Sequence, residues 1–480
     1  MKKLFCILAS LALSVALLFS GCSFLGADGL DGRDGKDGQN VTIEDIYNKY
    51  VSEHGETSFE DFLKEYLSYT ENELNEAASL RATINRSLMS GVSILSRFGY
   101  SSYRPGAFGQ QSQSTTYKVF TGSGAILWLN KEAGDAYVVT NCHVIYDDSS
   151  DTVYCPDIRL YLYGQDTAGI NYLVSGSDIS EDEHYRIPAE IVGASANYDL
   201  ALLKVTGSDV LKRSDAVAVS DKESVVEALD DCFVKDESAT VGETVYAIGN
   251  AAGEGMSASS GIISKDSESI EVSLSELDEN SYYTYRVLRT TAPINHGNSG
   301  GGLYNTSGKL VAVVQAKDEG EDIDNMGYAL PANTVRRLLV SMYDSYVANG
   351  NQPISGPNSK CGINKAYLNI TTVVSDSYSR LNENGVAVIT ELVRVEKIEG
   401  RPARGVLEAG DILVSAKLTS SDGTVKEDIK ITRNYSLSEM LISARAGDTL
   451  TLVVERVADH NSEEKELTIT LENGFFKYFE

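Results

Sequence analysis

Gly297-Asn298-Ser299-Gly300-Gly301 places a hydroxyl among small residues, where the backbone can fold tightly and aim its N–H groups at a carbonyl. A serine is inert at its ordinary pKa and needs a base, itself oriented by a third group. Two upstream segments offer those groups. Val138-Val139-Thr140-Asn141-Cys142-His143-Val144-Ile145 carries His143, and Tyr198-Asp199-Leu200-Ala201-Leu202-Leu203-Lys204-Val205 carries Asp199. In such a set His143 takes the proton of Ser299 and later gives it to the leaving amine, while Asp199 fixes the imidazole tautomer and stabilises its cation. The oxyanion hole is assigned to the loop Gly297, Asn298, Ser299, with the N–H groups of Gly297 and Ser299 as donors and Asn298 between them. A lone histidine is usually structural, an aspartate before a strand is usually a turn residue, and a glycine-rich loop is usually a plain turn. Together the three segments favour catalysis.

The chain order selects the architecture. Gly297-x-Ser299-x-Gly301 also fits the nucleophile elbow of α/β-hydrolases, but those run serine, acid, histidine. Here the only histidine after Ser299 is His460, in the polar run Asp459-His460-Asn461-Ser462. The order His143, Asp199, Ser299 is that of the chymotrypsin architecture. Counting alone leaves an Asp-His-Ser order open through Asp135, but no segment around Asp135 supports it. If the apolar run Tyr137–Thr140 continues as a strand, Cys142 and His143 point to opposite faces, so Cys142 is not the nucleophile for that histidine.

A length of 480 residues implies two or three domains. The net charge of −28 repels phosphate backbones and argues against nucleic-acid binding. Residues 1–21 read as a signal peptide: a basic start, then an apolar run too short to span a membrane. Ser20-Gly21-Cys22 closes it, small residues before a cysteine as at a bacterial lipoprotein cleavage site. Cys22 is then the lipidated N-terminus and the chain is held, extracytoplasmic, on the cell membrane. An ordinary secretory signal is the alternative. Of six cysteines, Cys142, Cys155, Cys232 and Cys361 remain. Two disulfides in any of three connectivities are open, but small buried thiols are preferred. No CxxC spacing exists, so no metal site is expected, and the chemistry needs no cofactor.

Glycines 26, 29, 32, 35 and 38 recur every third residue, a collagen-like pattern without proline. Five triplets are too few for a triple helix, so residues 22–40 read as a solvated spacer. Residues 41–88 turn helical. Ile43, Ile46, Tyr47 and Tyr50 share one face, Phe59, Phe62, Leu63 and Tyr66 another, with Gly55 as the break and Ser58 as a cap. Phe98–Thr116, rich in Gly, Ser, Gln and Tyr, reads as a surface loop. Many short β-rich runs follow from Tyr117 to Leu330, the pattern of an all-β barrel or sandwich, closed by a helix over Asn333–Tyr343. Residues 207–240 read as an acidic surface insertion. The expected domains are a serine protease domain over 89–345, a linker over 346–362 and an α+β domain over 363–480.

Seven segments resemble the HtrA/Deg family of trypsin-like serine proteases, in order between residues 117 and 345. They are Gly122-Ser123-Gly124-Ala125-Ile126, Thr140-Asn141-Cys142-His143-Val144-Ile145, Asp199-Leu200-Ala201-Leu202-Leu203-Lys204-Val205, Val241–Asn250, Ser260-Gly261-Ile262-Ile263-Ser264, Ile294–Gly301 and Gly327-Tyr328-Ala329-Leu330-Pro331. The sequence departs from the family at His296 and Gly302, each in place of a usual proline, and at Thr291, where many members have aspartate. The tail resembles the family's PDZ domain. Tyr367-Leu368-Asn369-Ile370 is similar to its carboxylate-binding loop, with Asn369 in place of glycine. Gly405–Leu413, Ser436–Ala444 and Ala446–Leu452 resemble later motifs.

The resemblance implies a mainly β chain: a chymotrypsin-like double β-barrel protease domain, an α+β PDZ domain and a small N-terminal helical segment. It implies cleavage of unfolded or misfolded proteins in quality control, capture of C-terminal peptides by strand addition, and a homotrimer. Near Val313-Val314-Gln315-Ala316 and Met326 no acid is placed to attract Arg or Lys, which favours small or medium apolar residues at the cleaved position. A rival reading is an inactive chaperone, sensor or peptide-binding scaffold on a protease fold, favoured by His296 and Thr291.

Overall fold

Runs such as Val138–Val139 and Leu202–Leu203 are apolar on both faces of their strands, and the reason is layered packing. A computed structural model describes residues 43–55, 57–105, 111–165, 186–234, 240–272, 283–317, 326–354, 362–458 and 461–479. The expected signal sequence and spacer, with Cys22, Cys361 and His460, lie outside the described residues. The chain divides into two compact units, residues 1–75 and 76–480. In the first, α1 (Ile43–His54) meets the start of α2 (Phe59–Ser90). Tyr47 packs on Phe59 and Phe62 with ring centroids 5.0 and 5.3 Å apart. Ser58 Oγ accepts from the Asp61 N–H at 3.0 Å, the expected cap.

The second unit begins with two closed antiparallel barrels. The first contains β1 (Gly91–Pro105), β2 (Gln111–Asn130), β3 (Asp135–Thr140), β4 (Ile158–Leu162), β5 (Ile187–Ser195) and β6 (Leu200–Val205). After two short helices, α3 (Asp209–Arg213) and α4 (Val225–Asp231), come β7 (Thr244–Gly249), β8 (Ser257–Val272), β9 (Tyr283–Thr290), β10 (Gly302–Asn305), β11 (Leu310–Lys317) and β12 (Gly327–Pro331), which close the second. Alternation sorts the side chains. Val138 and Leu203 fill the first barrel, and Leu288, Ala312 and Val314 fill the second. Their neighbours Val139, Leu202, Val287 and Val313 face outward into a third cluster with α5 (Ala332–Ala348), through Val335, Leu338 and Leu339. Both faces are dry, so the runs are continuous rather than alternating.

Three sequence expectations need correction. The described residues of Phe98–Thr116, 98–105 and 111–116, are strand: β1 and β2 pair from Gly91↔Ala125 to Pro105↔Gln111. Their polar residues pair across the ribbon, as in Ser102 Oγ with Ser114 Oγ at 2.8 Å, and Lys118 lies over the Tyr100 ring at 4.5 Å. A two-sided polar ribbon has no apolar period to announce it. The segment over 207–234 is not a surface insertion, because Leu211, Ala228, Leu229, Cys232 and Phe233 are all but fully buried. The run into His143 stops at Thr140, and Cys142–Val144 is a 3₁₀ turn. Cys142 is nevertheless fully buried in the first barrel while His143 is part-exposed. The preferred reading of the cysteines agrees with the structure: Cys142, Cys155 and Cys232 are buried thiols, and burial pushes the Cys155 thiol up to about 12.

Residues 362–479 form a second architecture. β14 (Ile370–Leu381), β15 (Ala387–Ile398), β16 (Ile412–Thr419), β18 (Thr449–Ala458) and β19 (Asn461–Thr470) make one sheet, with β17 (Val425–Lys430) paired to β16. β13 (Ile363–Ala366) pairs with β20 (Phe476–Phe479), and α6 (Ser436–Met440) lies between β17 and β18 in sequence. Ion pairs join this part to the barrels. Arg337 grips Glu427 at 2.6 Å, Arg286 grips Glu439 at 2.5 Å and Arg433 grips Asp266 at 2.5 Å.

Gly302 has a steric reason. A Cβ there would lie 2.4 Å from the Tyr304 ring and 2.6 Å from Leu310 Cδ2, so the buried Tyr304 occupies the room a larger residue needs. Gly302→Ala is expected to destabilise the chain by roughly 1–3 kcal/mol, read as a lower urea midpoint with unchanged slope.

Candidate active site

Asp199 is built to hold a histidine. It follows a 3₁₀ turn over Ala196–Tyr198 and adopts a left-handed backbone, φ 48° and ψ 50°, which Asp tolerates better than most residues. Its carboxylate, 2% exposed as a residue, then faces the turn that carries His143. Oδ1 accepts from the His143 main-chain N–H at 2.9 Å and Oδ2 meets His143 Nδ1 at 2.7 Å. A carboxylate only accepts, so Nδ1 carries the proton and Nε2 keeps its lone pair. Asn141 Nδ2 donates to the Asp199 carbonyl at 2.8 Å, closing the turn from behind. Burial pushes the His143 pKa down, but the charge and hydrogen bond of Asp199 outweigh it and hold the imidazole above its ordinary value.

Ser299 comes from the second barrel. The loop that carries it docks on β11: the Gly300 N–H donates to the Val314 carbonyl and the Val314 N–H to the Gly301 carbonyl, both at 2.9 Å. Gly297 has φ +89°, and a Cβ there would lie 2.2 Å from the Asn250 carbonyl oxygen, so only glycine fits. Among the described residues neither the Gly297 N–H nor the Ser299 N–H has an acceptor. The Asn298 N–H between them donates to the Asn295 carbonyl at 3.0 Å, which removes Asn298 from the donor set. Two free amides on one tight turn can receive an oxyanion.

Ser123 on β2 joins the two halves. Its N–H donates to the Ser299 carbonyl at 2.8 Å, its Oγ donates to the Gly297 carbonyl at 2.5 Å, and the same Oγ accepts from the Asn250 N–H at 2.8 Å. Its own carbonyl accepts from Thr140 Oγ1 at 2.8 Å, three residues before His143. The Ser299 hydroxyl itself donates to the Gln315 carbonyl at 3.1 Å; among the described residues it shares no hydrogen bond with His143. Gln315 and Tyr285 are buried behind it, with the Tyr285 hydroxyl 3.4 Å from Gln315 Oε1, and burial and the charge of Asp199 raise the Tyr285 pKa. The sequence pointed to no role for Ser123, Asn141 or Tyr285, and to Gln315 only as part of the specificity region. Only the glycines on either side of Ser123 hinted that nothing bulky is admitted there.

The departures from the family pattern are structurally quiet. His296 is exposed and its carbonyl accepts from the Ala252 N–H at 2.7 Å. Thr291 Oγ1 accepts from the Ile262 N–H and the Thr291 N–H donates to the Ile262 carbonyl, both at 3.0 Å, pinning the start of the serine loop to β8. At the far end of the chain, Tyr367-Leu368-Asn369-Ile370 forms the turn between β13 and β14. Asn369 sits at φ +54°, which asparagine tolerates, and its side-chain amide donates to the Arg401 carbonyl. Among the described residues the Leu368 and Asn369 N–H groups have no acceptor, and β14 is an edge strand.

Residues 122–313 match the model of the trypsin-like peptidase domain. The chain is 26% identical over 319 residues to the serine protease Do-like HtrA of Bacillus subtilis (strain 168), an alignment covering 65% of this chain and 57% of that protein. It is 28% identical over 357 residues to the serine protease Do-like HtrA of Lactococcus lactis subsp. lactis (strain IL1403), covering 72% of this chain and 70% of that one. Among solved structures, the HtrA-type protease AlgW with tripeptide is 18% identical with a TM-score of 0.44, over 83% of this chain and 97% of that chain. Residues 122–313 thus match a trypsin-like peptidase domain, and the chain around them is similar in sequence to HtrA/Do-like serine proteases.

Proposed function

We propose that the chain is a serine endopeptidase that works outside the cytoplasm from a lipid anchor on the membrane, hydrolysing peptide bonds of unfolded or exposed proteins in quality control. The observation that carries the proposal is the His143–Asp199 pair, bonded at 2.7 Å, in the same fold as a serine flanked by two free amides. In the first step the Ser299 hydroxyl turns from the Gln315 carbonyl toward His143 Nε2, a rotation about one bond in a half-buried residue. Its oxygen attacks the substrate carbonyl as Nε2 takes the proton, and the oxyanion settles between the Gly297 and Ser299 N–H groups. The imidazolium, stabilised by Asp199, then protonates the leaving amine as the C–N bond breaks. Water repeats the sequence on the acyl-enzyme. In the tail, the free Leu368 and Asn369 amides beside an edge strand suit capture of a peptide carboxylate. A homotrimer accords with the family resemblance.

One observation favours an inactive scaffold as the second reading: the Ser299 hydroxyl is bonded to Gln315 and not to His143. Casein digestion by the full chain and by Ser299→Ala separates the two. The peptidase reading expects a fall of at least about 10³-fold in the variant and a fluorophosphonate label on Ser299. Equal rates with no label would leave the scaffold.

The pH dependence has a definite sign. His143 acts as a base only when neutral, and its pKa lies above the ordinary 6.5. The acid limb of kcat/KM is therefore expected at a midpoint above 6.5. Asp199→Asn removes the charge and leaves burial to act alone, so the midpoint should move below 6.5 while kcat drops by about 10⁴-fold. A limb unmoved by the substitution would show that His143 is not the group titrating.

The anchor is tested at Cys22. Cys22→Ala in the full-length chain is expected to move the protein from the detergent phase of a Triton X-114 partition to the aqueous phase. An unchanged partition would refute lipidation at that residue.

A further inference from the structure

The left-handed turn at Asp199 needs neighbours to enforce it, because such a backbone costs an L-residue about 1–2 kcal/mol. Two of them lie in the peptidase domain: Asn141 on the Asp199 carbonyl, and the Ala196 carbonyl, which accepts the Asp199 N–H at 3.2 Å. A third comes from beyond the barrels. Lys365, on β13, donates from Nζ to the hydroxyl of Tyr198, the residue immediately before Asp199, at 3.1 Å, and to Ser438 Oγ on α6 at 2.9 Å.

The surroundings of Lys365 make this an unusual contact. Lys365 is 8% exposed, and Glu439 is the acid whose charge acts on it. Glu439 is itself held by Arg286 Nε and Nη2 at 2.5 and 2.8 Å, with Arg337 Nη1 at 3.7 Å. The rings of Tyr198 and Tyr367 lie 5.9 and 6.0 Å from the ammonium. Burial lowers the Lys365 pKa to about 8, with Glu439 opposing. An apolar side chain of the same length would join two packed surfaces without that desolvation. What the ammonium adds is a directed hydrogen bond to one tyrosine hydroxyl.

We propose that Lys365 is a positioning residue for the active site: through Tyr198 it sets the turn that aims the Asp199 carboxylate at His143. The proposal rests on the reading of His143, Asp199 and Ser299 as a catalytic set. It makes the C-terminal part of the chain a structural component of the peptidase site whether or not a peptide occupies it.

The test uses full-length Lys365→Met, Tyr198→Phe and the double variant, with Arg445→Ala as control. Arg445 bridges α6's end of the same interface to Asp344 at 2.9 Å and does not touch Tyr198. Two readouts are taken: kcat and KM on a fluorogenic peptide, and the proton NMR signal and titration of the His143 imidazole, which need no turnover. Lys365→Met is expected to lower kcat about tenfold with KM unchanged, short of the roughly 10²-fold of a 1 Å misplacement. It should also weaken the low-field Nδ1–H signal and move the His143 titration down. Tyr198→Phe should match it, and the double variant should be no worse than either single one. The proposal is overturned if Lys365→Met keeps the wild-type His143 titration, or if Arg445→Ala reproduces the change. Should the wild-type chain cleave nothing while the titration still shifts in Lys365→Met, the peptidase reading fails and the positioning role stands.

Discussion

Four hydrogen bonds at Ser123 are the constraint on which the site depends. The proposed base and nucleophile arise in different barrels, so nothing in either barrel alone sets their separation. Ser123, fully buried on β2, bonds to Ser299, Gly297 and Asn250 of the second barrel and to Thr140 of its own. Any one of these groups left unpaired in so dry a place costs about 1–3 kcal/mol. The three that cross to the second barrel are satisfied in one arrangement of the barrels, so this one small residue, through its N–H and hydroxyl, fixes a geometry that broad apolar contact would leave free to slide.

The apolar layer supplies the bulk of the cohesion and the polar contacts supply its register. Val139, Leu202, Val287 and Val313 fill the space outside the two barrels together with α5. Burial of this kind is non-directional. Direction comes from groups such as Ser123, from the Thr291–Ile262 pair at the root of the serine loop, and from the Arg286–Glu439 and Arg337–Glu427 pairs toward the C-terminal sheet.

The sequence made the chemistry more legible than the frame around it. His143, Asp199 and Ser299 stand in segments whose small and apolar neighbours are themselves informative, and the His-Asp-Ser order separated two architectures. The β1–β2 ribbon was hidden because Ser, Thr and Gln on both faces carry no period, and its strand character rests on pairing that composition does not report. The packed helices after β6 were hidden because acidic surface residues mask Leu229, Cys232 and Phe233 among them. Tyr285, and the contact of Gln315 with it, were invisible for another reason: their place beside the site arises only when distant strands of the second barrel close. Cys142, set aside as a nucleophile on strand geometry, lies fully buried in a 3₁₀ turn and not in a strand.

The backbone at Asp199 carries a consequence for how this lineage can change. Glycine, asparagine and aspartate are the residues that a left-handed φ accommodates with least strain, and one-base changes in an aspartate codon reach the other two. Either replacement would keep the loop's shape and discard its negative charge. Loss of the proposed hydrolysis is thus a short genetic step, and asparagine, which keeps a side-chain oxygen to accept the His143 main-chain N–H, takes it at less cost to the fold than glycine.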